Sequence, residues 1–208
     1  MFDDNGWTLN GSDWSGKDIT TIYQADRDIS IKVGGKDNVA KLFSNIEFGK
    51  KAMDNGGLTT DAHHIWLNSV STKWTSWSVA HELAHAWDYS SGMKNSAALE
   101  DFTGGHTNFV QGILFRIGIT GCTNDKSSGC NNAGYNYGGV PLKGSDDGFN
   151  SREDYAESFA AYIYPDQALF AIQNWKQFKS VSYFQYDNYL NTPRGLWIDA
   201  FINFKTQP

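Results

Sequence analysis

His81-Glu82-Leu83-Ala84-His85 is the stretch on which the reading of this chain turns. It lies within a segment, about residues 75–89, whose apolar positions Trp77, Ala80, Ala84 and Trp87 follow a helical repeat and which Ser91-Gly92 closes. Two histidines at i and i+4 on a helix project from one face, a turn apart, so both imidazoles can reach a single metal ion. Glu82 is offset by one position. It flanks such an ion without binding it, and can take a proton from a metal-activated water and deliver one to a leaving amine. Val79, Ala80, Leu83, Ala84, Ala86 and Trp87 are small or apolar, as a helix buried beneath a cleft requires. The competing account is a core helix with two satisfied histidines and a surface glutamate, and the uncharged surroundings count against it.

A catalytic zinc needs a third protein ligand and one open position. An extension with Gly and His three and six residues beyond the second histidine is closed, because Asp88 and Ser91 stand there. Downstream, Glu153-Asp154-Tyr155-Ala156-Glu157-Ser158-Phe159-Ala160 offers an acidic helix, predicted over 151–164 with Ser151 as N-cap, Asp154 as its capping-box partner and Pro165 beyond its end. Glu153 and Glu157 share a face. One can bind the metal while the other hydrogen-bonds the outer nitrogen of a ligating histidine.

These two helices resemble the anthrax lethal factor-type metallopeptidases, a gluzincin group that includes the Pro-Pro endopeptidases. In that group HExxH is followed by an E-x-x-A-E-x-F helix, and Glu153, Ala156, Glu157 and Phe159 match it position for position. The resemblance covers the motif helices and not the rest of the chain. It implies Zn2+ held by His81, His85 and Glu153, with Glu82 as general base and Glu157 behind His81, in a zincin-like metalloprotease domain. One position departs: where the group has a tyrosine seven residues before the ligand glutamate, to stabilise an oxyanion, this chain has Asp146. Tyr135 and Tyr137 lie in the preceding loop, and Tyr137 is the candidate to supply that hydroxyl.

Around the motif the chain reads as an α+β protein. The 208 residues suit a single domain, with a β-rich part over about 1–74 and a helical part carrying the metal site over about 75–208. Residues up to about 16 read as irregular structure or a short edge hairpin. Residues 19–23 and 29–33 alternate with β-branched side chains across a polar turn at 25–28 and read as a hairpin. Val39, Leu42, Phe43, Ile46 and Met53 suggest a helix ending at Asn55-Gly56-Gly57. Residues 63–68 read as a strand, placed to bind substrate backbone. Further helices are expected at about 108–117, 167–178 and 196–204, and the glycine-rich stretch 118–148 is a long loop suited to setting specificity.

Aromatic residues are 15% of the chain and hydrophobic ones 40%, so a packed interior is expected. A net charge of −6 without a basic cluster argues against nucleic acid and anionic membrane surfaces as partners. Cys122 and Cys130 flank a polar stretch without metal-ligand spacing and read as a local disulfide, which implies an oxidising compartment. No apolar run is long enough to span a bilayer. The N-terminus carries neither a basic nor an apolar leader region, so an extracellular location implies a leader already removed.

His63, His64 and His106 read as structural or loop residues, and Asp88 and Asp101 as optional supports for the motif histidines. The expectation is a secreted, monomeric zinc metalloendopeptidase acting on peptide or protein substrates. The alternatives are a catalytically weak, toxin-like zinc module and a glycan- or protein-binding module built on Trp7, Trp14, Trp66, Trp74 and Trp77.

Overall fold

The computed structural model describes residues 5–103, 151–168, 188–191 and 193–207. They form helices and a small four-stranded sheet, and fall into two compact units, Met1–Gly92 with Phe201–Pro208, and Met93–Ala200.

In the first unit the chain runs β1 (Thr8–Leu9), α1 (Gly16–Val33), α2 (Lys36–Leu42), β2 (Glu47–Lys51), β3 (Gly57–Thr59), β4 (His64–Asn68) and α3 (Ser76–Ser90). The sheet order is β1-β2-β4-β3, parallel at its first two pairings and antiparallel between β4 and β3. β1 is thus a parallel edge strand rather than part of a hairpin.

The hairpin expected over 19–33 is one helix instead. Ser15 caps it: the Ser15 side chain accepts from the Asp18 amide at 3.2 Å, and Asp18 accepts from the Ser15 amide at 2.8 Å. Asp18, Ile22, Ala25, Asp26, Ile29 and Val33 form its buried stripe, a helical repeat that outweighs the β-branched alternation, and Gly34 at φ 85° ends it. The helix expected through Met53 stops at Leu42 for equally local reasons. Asn45 turns the chain at φ 57°, and Gly49 lies opposite Trp66 across the β2–β4 pairing. A Cβ at Gly49 would fall 2.4 Å from the Trp66 ring, so the strand passes only because that side chain is missing. Val39, Leu42, Phe43 and Ile46 are buried as expected, but only the first two lie in the helix; Phe43 is its C-cap and Ile46 precedes β2.

The core of this unit includes Ile22, Ile29, Phe43, Phe48, Ile65, Leu67, Val79 and Leu83. Trp7 and Phe48 meet edge to face at 5.5 Å, and Trp87 joins Phe43 at 5.7 Å and Phe201 at 5.5 Å. Trp7 and Trp74 are interior residues whose indole N–H groups donate to the carbonyls of Phe43 and Asn68.

The second unit contains α4 (Lys94–Thr103), α5 (Ser151–Ile163), a 3-10 turn at Tyr189–Asn191 and the start of α6 (Pro193–Thr206). α4 packs on α5, and Phe102 stacks on Trp197 with centroids 6.1 Å apart. α5 and α6 fall where the sequence predicts helices. The helix expected at 167–178 is described only to residue 168, where residues 165–168 are helical. The helix expected at 108–117 and the loop 118–148 lie outside the described residues. Among the described residues, no helix is long and apolar enough to cross a membrane.

Lys50 on β2 and Asp18 on α1 form an ion pair of 2.9 Å whose side chains are 6% and 0% exposed. Burial alone would raise the Asp18 pKa, but hydrogen bonds from Ser71, Lys50 and Ser15 outweigh it and hold the carboxyl well below the usual carboxylate range. A depressed folded-state pKa contributes stability that is present above about pH 4 and drains away as pH falls toward the folded value. Lys50→Ala leaves the buried charge unpaired and is expected to cost about 3–5 kcal/mol at pH 7. Urea unfolding of both proteins at pH 7 and pH 3 checks this. The gap should narrow at the lower pH, where the mutant's Asp18 folds in protonated.

Candidate metal centre

α3 is buried over most of its circumference. From Val79 to Asp88 every residue except His81 is buried, so Glu82, His85 and Asp88 are polar groups in the interior. Thr75 starts the helix, its amide donating to the Ser78 hydroxyl at 3.2 Å. The i,i+4 spacing brings the Nε2 atoms of His81 and His85 to 3.0 Å from each other. Two ligands of a tetrahedral zinc, each about 2.0–2.1 Å from the ion, stand roughly 3.3 Å apart, so the pair is close to ligating geometry.

Glu82, one position on from His81, faces β3 of the sheet. Its Oε2 lies 2.7 Å, and its backbone carbonyl oxygen 2.9 Å, from the Thr59 hydroxyl on β3. Gly57 makes room for it. A Cβ there would sit 2.7 Å from both Cγ and Oε1 of Glu82. β3 is therefore the strand against Glu82, and β4, expected to be the substrate-facing edge, is enclosed between β2 and β3. Across the β3–β4 pair the Thr60 amide donates to the His64 carbonyl and the Asn68 amide to the Gly56 carbonyl. That alternation turns the backbone N–H and C=O of Gly57 and Thr59 away from β4, toward the edge of the sheet, where no further strand pairs among the described residues.

α5 carries the acidic motif. Glu153 is in its first turn and half-buried, and Glu157, one turn on, is buried. Asp154, expected from the sequence as a capping carboxylate, has a partner far along the chain. The helix begins at Ser151, and Asp154 is buried and accepts from Arg194 Nη2 at 2.8 Å and Nε at 3.2 Å. Arg194 is itself fully buried in the first turn of α6. Beside this pair the Tyr189 hydroxyl donates to the Ser158 carbonyl at 3.3 Å, and burial pushes its phenol far above the usual tyrosine range. Gly195 lets the chain close up here, since a Cβ would fall 2.3 Å from the Tyr189 carbonyl oxygen.

One ligand atom from each of His81, His85 and Glu153 lies within 4.8 Å of the others, and this group can hold a metal ion. Two imidazoles and one carboxylate leave a fourth position for water or substrate. The remaining sequence candidates divide. His63 and His64 are exposed, and His64 Nδ1 lies 2.9 Å from Asp61. Partial burial would raise the Asp61 pKa, but the amides of His63 and His64 and the His64 ring outweigh it and hold it below the ordinary value. Asp101 is exposed and Asp88 is buried. Tyr135, Tyr137, His106, Asp146 and the Cys122–Cys130 pair lie outside the described residues. The burial of Trp7 and Trp74 removes two members from any aromatic sugar-stacking surface.

Thr59, Gly57, Tyr189 and Arg194 were not singled out from the sequence. Only Arg194 carried a signal, because a cation in the first turn of a helix opposes the macrodipole and calls for an acidic partner.

Metal affinity measured against a chromophoric chelator separates the two motif glutamates. His81→Ala, His85→Ala and Glu153→Ala should each abolish stoichiometric binding. Glu157→Gln should keep it, weakened about 10–100-fold at most, as for a residue that supports a ligand. The chain matches no family model, no curated protein and no solved structure among those with which it was compared.

Proposed function

We propose that this chain is a zinc-dependent endopeptidase with a zincin-like catalytic architecture. The observation that carries the reading is the His81, His85 and Glu153 donor group with Glu82 on the same turn of α3. Nitrogen and carboxylate donors with an open position suit zinc, and the resemblance of both motif helices to the lethal factor-type peptidases points the same way. Bound there, zinc supplies Lewis-acid polarisation of a carbonyl and of a water molecule.

The chain's own residues do the rest. Glu82, one position along from His81, accepts a proton at its carboxylate and returns it to the departing amine. Its interior setting keeps the carboxylate in a fixed place. Peptide substrate would enter as an extended strand against β3, whose outward-facing amides and carbonyls at Gly57 and Thr59 offer backbone hydrogen bonds beside Glu82. That assigns to β3 the role that the sequence suggested for residues 63–68. Leu58 is on the opposite face of the same strand and is exposed.

Zinc content and cleavage of a mixed peptide library, measured side by side for the wild type and Glu82→Gln, test the reading. Both proteins should hold one zinc per chain, and the variant's turnover should fall about 10²–10⁴-fold. Bound zinc without cleavage in the wild type would favour a non-enzymatic zinc module, and absence of zinc would remove the reading altogether.

A further inference from the structure

Glu82 is held from outside its own helix. Glu82 and Thr59 are each 7% exposed, and the carboxylate meets the hydroxyl at 2.7 Å. Thr59 and Gly57 are two apart on β3 and so face the same way, one presenting a hydroxyl and the other presenting nothing. Between them they restrict the carboxylate on two sides: Oε2 lies against the Thr59 hydroxyl, and Oε1 fills the space that a Cβ at Gly57 would need. Glycine inside a strand weakens it, so its presence in a three-residue strand calls for a reason, and the close approach of Glu82 supplies one.

We infer that Thr59 is a positioning residue for Glu82, and that Gly57 completes the same device by leaving room for the carboxylate. The inference rests on the peptidase reading for its catalytic consequence but not for the contact itself. The Thr59 hydroxyl has one proton to donate and lone pairs to accept with, and both Glu82 Oε2 and the Glu82 carbonyl oxygen are within its reach. While Glu82 is a carboxylate, the hydroxyl donates to Oε2. With Oε2 held by the hydroxyl and Oε1 packed into the gap at Gly57, the carboxylate keeps one orientation against β3.

Three variants test this in the zinc-loaded protein. Thr59→Val keeps the shape and removes the donor; Thr59→Ser keeps the donor; Gly57→Ala intrudes on Oε1. Thr59→Val is expected to lower kcat roughly 10–100-fold, the loss of a hydrogen bond to a charged group, with KM and zinc affinity within about twofold of wild type. Thr59→Ser should recover most of the loss. Gly57→Ala should lower kcat too, and its effect should fail to add to that of Thr59→Val, because both act through one side chain.

A readout independent of turnover accompanies these. With glutamate labelled at its carboxyl carbon, the Glu82 resonance, identified by its loss in Glu82→Gln, should move in Thr59→Val and stay in Thr59→Ser. Wild-type kcat in Thr59→Val, an equal loss in Thr59→Ser, or a resonance indifferent to Thr59 would each overturn the inference. A wild type that cleaves no peptide while the resonance responds as described would leave the positioning contact standing and bring down the peptidase reading instead.

Discussion

Burying a helix that carries ionisable side chains sets the terms for everything around it. α3 has Glu82, His85 and Asp88 in its buried stretch, and a polar group taken from water without a partner costs several kcal/mol. The two histidines answer part of that demand by facing each other, their Nε2 atoms 3.0 Å apart. Glu82 cannot use the same solution, because the one-residue offset turns it elsewhere. It needs a donor from a neighbouring element, and a strand must pass close enough to give one. β3 meets that requirement with the Thr59 hydroxyl, at the cost of a glycine at position 57. The side-chain choice on β3 and the aim of the carboxylate thus follow from one constraint.

α5 faces a related demand with a different answer. Asp154 is turned inward in the first turn, next to Glu153, and is neutralised by a fully buried arginine. A buried pair of this kind contributes little net stability over an apolar substitute, since desolvation of both charges offsets their attraction. Its geometric effect is larger. Two hydrogen bonds from one guanidinium fix the angle of the Asp154 carboxylate, and with it the first turn of α5 against the first turn of α6. Tyr189 and Gly195 close the same corner. Glu153 projects from a turn that has little freedom to rotate.

The histidine pair of the metal group was legible in the sequence because it depends on helix periodicity alone, whereas Glu153 was implied by the resemblance. His81 and His85 are brought together by the rise of one turn, and the positions of α3 and α5 follow from apolar spacing and stop signals. The first 55 residues were read less well, for identifiable reasons. β-branched residues at 19–22 and 29–33 suggested strands, while Ser15 with Asp18 and the stripe from Ile22 to Val33 encode a helix. Over 36–53 one apolar stripe serves two elements, and only the left-handed Asn45 and the ring of Trp66 against Gly49 divide them. Asp154 looked like a cap because a capping box is a local pattern, whereas its partner Arg194 is 40 residues away. The Thr59 contact spans 23 residues and leaves no local trace.

The same distinction separates the histidine pair from Glu82. The pairing of His81 with His85 is fixed within α3 by its repeat, whatever the connecting chain does. The neighbouring carboxylate is different. Glu82 depends on whatever element packs against its side of the helix, and that element is free to vary so long as it supplies a donor and a gap. A strand only three residues long, with glycine first and threonine last, is enough to do both. Its outward backbone is then next to the group that would handle the proton. On the proposed function, the edge that would orient the base and the edge that would receive an extended chain are the same edge, so the glycine and the threonine of this short strand serve one packing arrangement.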